Sequence, residues 1–71
     1  MRHEVEILEA QEFAYEYYNI SREEFIEKAS TQYPTHHPEG GLLPSFQRQA
    51  YLFRVAVEAY DEIQTDMMEI A

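Results

Sequence analysis

Residues 45–68 read SFQRQAYLFRVAVEAYDEIQTDMM, and this stretch decides the fold. Its apolar side chains recur in alternating steps of four and three residues, the spacing of one helix face, with one glutamine as a polar break. The row consists of Phe46, Ala50, Phe53, Val57, Tyr60, Gln64 and Met67. A second apolar row runs beside it through Leu52, Ala56, Ala59 and Ile63. The stretch therefore predicts an amphipathic helix over about residues 45–68, capped by Ser45, with an apolar face wide enough to be covered on two sides.

The preceding segment, residues 34–44, reads PTHHPEGGLLP and holds all the prolines and glycines of the chain. Because these residues interrupt helices, we expect a loop that divides the chain into two helical parts. Upstream of it, Ser21 and Glu24 form a capping box, in which each side chain can bond the amide of the other residue. A second helix is thus predicted over about residues 21–33, ended by Pro34.

The first part of the chain permits two interpretations. Residues 4–8 alternate between acidic and apolar side chains at first, as a short exposed strand would. From Leu8 onward a helix fits better, with Ile7, Ala10, Ala14 and Tyr17 on one face. We favour one helix over about residues 4–18. The sequence as a whole then predicts a single all-α domain over residues 1–71, with two shorter N-terminal helices packed on a long C-terminal one.

Charge is the strongest functional signal. Fourteen acidic residues stand against five basic ones, a net charge of −9, and residues 4–16 and 58–69 form two acidic blocks without a lysine or arginine. Two like-charged surfaces on a small domain repel one another, which favours a basic partner. Tyrosine is also common at interfaces. The candidate partner-binding residues are Glu9, Glu12, Glu16, Tyr15, Tyr18, Glu58, Asp61, Glu62, Asp66 and Glu69.

Rows of carboxylates on helix faces can imitate a phosphate backbone and occupy the basic cleft of a nucleic-acid-handling protein. The first hypothesis is therefore a non-enzymatic acidic binding module that docks on a basic or nucleic-acid-binding protein and inhibits or modulates it. In size and charge alone, the chain is like phage-encoded inhibitors that act in this DNA-mimic fashion. A solvated acidic face that only keeps the protein in solution is the competing interpretation.

The second hypothesis is a small structural or accessory subunit. It would dimerise, or complete an assembly, through the apolar row from Phe46 to Met67, with Gln64 as one polar position that sets the register. The simpler alternative is that the two N-terminal helices cover both apolar rows of the long helix.

Other classes have little support in the residues. His36 and His37 are adjacent in the loop near Glu39, a spacing that matches no usual metal-ligand pattern, so we expect no metal and no other cofactor. No catalytic constellation is apparent, and we expect no enzymatic activity. The scarcity of bases argues against direct binding of nucleic acid. With no cysteine, no apolar run at the N-terminus and no membrane span, a cytoplasmic location is expected.

Overall fold

The structure, a computed structural model, describes the backbone of residues 2–70 and the side chains of residues 4–68. It contains three helices, α1 (Arg2–Glu16), α2 (Arg22–Gln32) and α3 (Phe46–Ile70), and the described residues form no strand. The predicted all-α architecture is confirmed. The alternative of a strand at residues 4–8 is wrong, because these residues belong to α1.

The helix boundaries follow local signals in the sequence. Ser21 is the N-cap of α2, and its hydroxyl oxygen accepts a hydrogen bond from the Glu24 amide at 3.2 Å. At the other end, the Tyr33 amide still donates to the Ala29 carbonyl at 2.8 Å, and Pro34 follows. Helix α3 begins directly after Ser45, whose carbonyl accepts from the Gln49 amide at 3.0 Å.

Both N-terminal helices pack on α3, and contacts along its length give their directions. Glu6 pairs with Arg48 near the start of α3, whereas the backbone carbonyl of Tyr18 accepts a hydrogen bond from the Gln64 side chain. Helix α1 therefore runs parallel to α3. Helix α2 runs in the opposite direction, since its first residue, Arg22, contacts Asp61 near the other end of α3.

Helix α1 packs closely on α3 but lies farther from α2. Small side chains line the core between α1 and α3, where Ala10, Ala14 and Ala56 are fully buried and permit close approach. Between α1 and α2, by contrast, no described Cα pair lies within 8 Å. These helices meet through rings, with the centroids of Phe13 and Phe25 5.4 Å apart. The result is a flat molecule of 44 × 29 × 14 Å with an open α1–α2 cleft.

The aromatic side chains join all three helices at the centre of the core. Phe25 of α2 is fully buried and stacks on Tyr60 of α3, with centroids 4.5 Å apart. The Tyr60 hydroxyl donates a hydrogen bond to the Ile20 carbonyl in the turn that joins α1 to α2. Tyr60 is thus part of the core, and Tyr17 is half-buried against it.

The segment between α2 and α3 is a miniature hairpin rather than an irregular loop. His36 and Leu42 form an isolated antiparallel bridge. The turn is closed by hydrogen bonds from the His37 amide to the Gly41 carbonyl and from the Gly40 amide to the His37 carbonyl, each at 3.0 Å. Gly40 and Gly41 have φ values of 107° and 85°, which L side chains rarely adopt. The two glycines are therefore what allows the chain to reverse here.

Among residues 2–70, no helix combines the length and the hydrophobicity that crossing a membrane requires.

Candidate functional site

A groove between α1 and α3 combines a tyrosine of the first acidic block with two carboxylates of the second. This α1–α3 groove has a volume of about 130 Å³ and is lined by Gln11, Tyr15, Ala59, Glu62, Ile63 and Asp66. Tyr15 comes from the first block, and Glu62 and Asp66 come from the second. A shallow depression on α3 next to the groove shares these two carboxylates and adds Asp61 and Thr65. One aromatic ring and two carboxylates thus border the same small opening.

The described basic side chains are engaged elsewhere. Three ion pairs use the arginines: Arg22–Asp61 at 3.0 Å, Arg48–Glu6 at 3.5 Å and Arg54–Glu58 at 3.1 Å. The ammonium of Lys28 lies over the Tyr17 ring, 5.0 Å from its centroid. Among the side chains of residues 4–68, Glu62 and Asp66 therefore take part in no ion pair, and the groove keeps its negative charge.

The pair between Arg22 and Asp61 is the best formed of the three. The Asp61 carboxylate accepts from both Nε and an Nη of Arg22, at 3.0 and 3.2 Å. These hydrogen bonds, and then the negative charge of Asp61, raise the pKa of Arg22. The negative charge of Asp61 is consequently paired within the chain. Of the C-terminal acidic candidates, Asp61 and Glu58 carry paired charges, whereas Glu62 and Asp66 do not.

The acidic side chains of α1 do not join the groove. Glu9 acts on Tyr33 at the end of α2, where burial of the phenol and then the negative charge of Glu9 raise the pKa of Tyr33. Glu9 and Tyr15 are six positions apart, which places them on different sides of the helix. Glu12 and Glu16 are exposed and line no part of the groove. Of the ten candidate partner-binding residues, Tyr15, Glu62 and Asp66 are thus the ones that line the groove.

Two other candidates lie apart from the groove lining. The side chain of Tyr18 is exposed, and its backbone carbonyl accepts the hydrogen bond from Gln64. The side chain of Glu69 lies outside the described residues. Of the two candidate tyrosines, Tyr15 is therefore the one that lines the groove with Glu62 and Asp66.

The apolar row of α3 is largely covered by its own chain. Phe53 and Val57 pack against the core and are partly buried. Gln64 donates to the Tyr18 carbonyl and so has a role within the domain. The row is distributed as follows: Tyr60 is buried, Phe46, Phe53, Val57 and Gln64 are intermediate, and Ala50 and Met67 are exposed. Dimerisation through this row stays a prediction.

Sequence reasoning missed a second apolar row on α1. Val5, Leu8 and Tyr15 expose 53%, 58% and 65% of their surfaces, and Glu12 completes the row. Their spacing of three, four and three residues equals that of the buried row Ile7, Ala10, Ala14 and Tyr17. The sequence does contain a signal for the second row, because two rows with helical spacing alternate along α1. A single neighbouring helix can cover only one of them.

Two further features are less suited to binding. The α1–α2 cleft, of about 500 Å³, is open and has a mixed lining that includes Phe13, Tyr17, Glu27 and Lys28. In the hairpin, Nδ1 of His36 lies 2.9 Å from the Thr35 hydroxyl oxygen. The described residues contain no group of three or more side chains arranged to hold a metal ion.

No protein-family model, curated protein or solved structure matches this chain. Function is therefore inferred from the α1–α3 groove, the distribution of charge and the exposed row of α1.

Proposed function

We propose that the protein is a non-enzymatic acidic binding module, which docks on a basic or nucleic-acid-binding protein and inhibits or modulates it. The observation that supports this function is the α1–α3 groove. Glu62 and Asp66 are four residues apart on α3, a spacing that puts their Cβ atoms about 5–6 Å from one another. A guanidinium from a partner would pair with these carboxylates while it stacks on the Tyr15 ring.

The overall charge supports the same function. A net charge of −9 attracts a basic surface over long distances and speeds its association, although salt screens the attraction. The exposed carboxylates of α1 and α3 would meet the lysines and arginines that normally contact phosphates. Occupation of such a cleft is how the module would inhibit its partner.

The position of Asp66 is unfavourable for the isolated domain. It lies one turn before the end of α3, where the negative end of the helix dipole disfavours a carboxylate by about 0.3–1 kcal/mol at low salt. No described basic side chain offsets this cost, because none pairs with Asp66. A carboxylate that destabilises its own helix is better explained by a role in binding.

A structural or accessory subunit is the second candidate, and the unequal helix lengths favour it. At 1.5 Å per residue, α3 is about 37 Å long and α2 about 16 Å, so α2 covers less than half of α3. Met67 and Met68 are exposed near the end of α3. This hypothesis predicts that the protein associates with itself or with another protein in a salt-tolerant way. The substitution Met67→Asp should weaken that association.

Affinity capture from cells that make the protein, followed by salt titration of the captured partner, tests the proposed function. The variant E62K/D66K should lose the partner, because it reverses both unpaired carboxylates of the groove. The control E23K/E39K changes the net charge by the same amount at two exposed acids outside the groove and should retain most of the affinity. Circular dichroism checks that both variants remain helical.

Two outcomes would contradict the proposal. Equal loss of affinity in both double variants would mean that net charge, rather than the groove, governs binding. Capture that resists high salt and depends on Met67 would favour the accessory subunit.

A further inference from the structure

The exposed row of α1 is the feature that the charge-based proposal leaves unused. Val5, Leu8, Glu12 and Tyr15 follow one another on one face of the helix and span about 15 Å. Three of the four are large apolar or aromatic side chains with more than half of their surface exposed. Burial of such side chains is favourable, so a stripe of this kind on a small domain marks a contact with something else.

The row leads into the α1–α3 groove. Tyr15 belongs to both, and from its ring the surface continues to Glu62 and Asp66 on α3. The apolar contacts of the row therefore end at a site of unpaired negative charge. A complementary surface needs apolar side chains along about three helical turns and a cationic side chain at one end.

A second copy of this chain is a poor occupant of the row. In a two-fold symmetric pair the same face contacts itself, and Glu12 lies in the middle of that face with Glu9 and Glu16 on the same helix. Such a pair would oppose like charges at an interface with no described base to compensate them. An anionic lipid surface is disfavoured for the same reason.

We propose that the row and the groove together bind a basic amphipathic helix of a partner protein. Its apolar side chains would lie along Val5 and Leu8, and an arginine or lysine would enter the groove between Tyr15 and the two carboxylates. This inference rests on the proposed function and narrows it, since it specifies the element of the partner that is recognised. Helices commonly bind in this way, with apolar anchors spaced three and four residues apart.

The test uses a synthetic Leu/Arg peptide of about 18 residues, long enough to form an amphipathic helix alone. Its control is a peptide of the same composition whose leucines and arginines are spread around the helix. NMR titration of the isotope-labelled domain should show the largest shifts at Leu8, Glu12 and Tyr15. The amphipathic peptide should bind about tenfold more tightly than its control, because only one face of it fits the row.

Two leucines of similar exposure, one inside the row and one outside it, test whether binding requires the row or only an exposed apolar side chain. Leu8→Asp should weaken binding of the amphipathic peptide at least about tenfold, because it places a charge in the row. Leu42→Asp changes a leucine of similar exposure, 52%, in the hairpin and should change the affinity less than about twofold. Neither side chain belongs to the buried core, so both variants should fold, which circular dichroism verifies.

The alternative outcomes separate this inference from the function on which it rests. Equal binding of both peptides, unaffected by Leu8→Asp but lost in E62K/D66K, would overturn the helix-binding inference and keep the charge-based function. Absence of binding to either peptide would overturn both. Self-association or vesicle binding that Leu8→Asp abolishes would show that a second copy or a membrane covers the row instead.

Discussion

At the scale of single residues, the aromatic side chains do more than fill volume. Phe25 makes contact with a ring on each neighbouring helix, Phe13 on α1 and Tyr60 on α3. Because the backbones of α1 and α2 lie far apart, the two N-terminal helices contact one another through side chains such as these rings. The capping signal at Ser21 predicted where α2 begins, but side-chain packing determines how α2 sits against α1.

The phenol of Tyr33 gives a pH-dependent prediction. Burial, and then the charge of Glu9, raises its pKa in the folded protein above the unfolded value of about 10. Below pH 10 both states keep the proton, so the contribution is fully present there. At higher pH the unfolded state loses the proton first, and the free energy of unfolding falls until the folded-state pKa is passed.

Urea unfolding between pH 8 and pH 11 measures this effect. Tyr33→Phe has no phenol at this position, so its stability should decline less steeply above about pH 10 than that of the parent protein. Tyr51→Phe is the control, since Tyr51 is exposed and the decline should remain as in the parent. Parallel profiles for the parent and Tyr33→Phe would contradict a role for burial of this phenol.

Residue-level exposure was only partly predictable from the sequence. Both rows of α1 have helical spacing, and the buried row was correctly identified from Ile7, Ala10, Ala14 and Tyr17. The alanines in that row allow α1 to lie close to α3, which leaves the larger Val5 and Leu8 outside. Periodicity shows that a face is apolar, but the neighbouring helix decides which of two such faces it covers.

At the scale of elements, the hairpin between α2 and α3 depends on its glycines. A Cβ at Gly41 would have no atom within 4 Å, so the cost of Gly41→Ala comes from its φ of +85° alone. We expect a loss of about 1 kcal/mol in unfolding free energy, which lowers the melting temperature by about 4–8 °C for a domain of this size.

Calorimetry on a chemically synthesised chain provides a stringent control for this prediction. D-alanine at position 41 adopts positive φ without strain and should keep the melting temperature near that of the parent. If L-alanine and D-alanine were equally destabilising, the cause would be side-chain bulk rather than backbone conformation.

The boundaries of α2 and the start of α3 were the most predictable, because caps and prolines act locally, whereas α1, predicted over about residues 4–18, spans Arg2–Glu16. The hairpin was predicted only as a loop, since its bridge between His36 and Leu42 depends on the reversal at Gly40 and Gly41. Nor could the sequence alone indicate that α1 lies parallel to α3. That arrangement depends on contacts such as Glu6 with Arg48, which join residues far apart in the chain.

For the whole molecule, the fold compensates some of the acids in the two base-free blocks and leaves others unpaired. Arginines neutralise Glu6, Glu58 and Asp61, whereas the carboxylates of the α1–α3 groove are in no described ion pair. The sequence predicted an excess of negative charge, but only the fold determines which acids are compensated. Stability and binding should therefore respond in opposite directions when the groove carboxylates are changed.

The variant E62K/D66K tests this opposition directly. It replaces two acids in the C-terminal half of α3 with bases and changes the net charge from −9 to −5, since each reversal adds two charges. We expect the unfolding free energy to rise by about 0.3–1 kcal/mol at low salt, because a lysine at position 66, one turn before the end of α3, interacts favourably with the helix dipole. Urea unfolding should show the gain shrinking at high salt, where charges are screened.

The control E23K/E39K reaches the same net charge but removes Glu23 from the first turn of α2, where an acid is favourable. It should therefore be less stable than E62K/D66K, which separates local placement from net repulsion. If E62K/D66K were destabilised instead, the groove carboxylates would be serving the fold. If it becomes more stable while losing its partner, the domain keeps these two acids at a cost to its own stability, as expected of residues retained for binding.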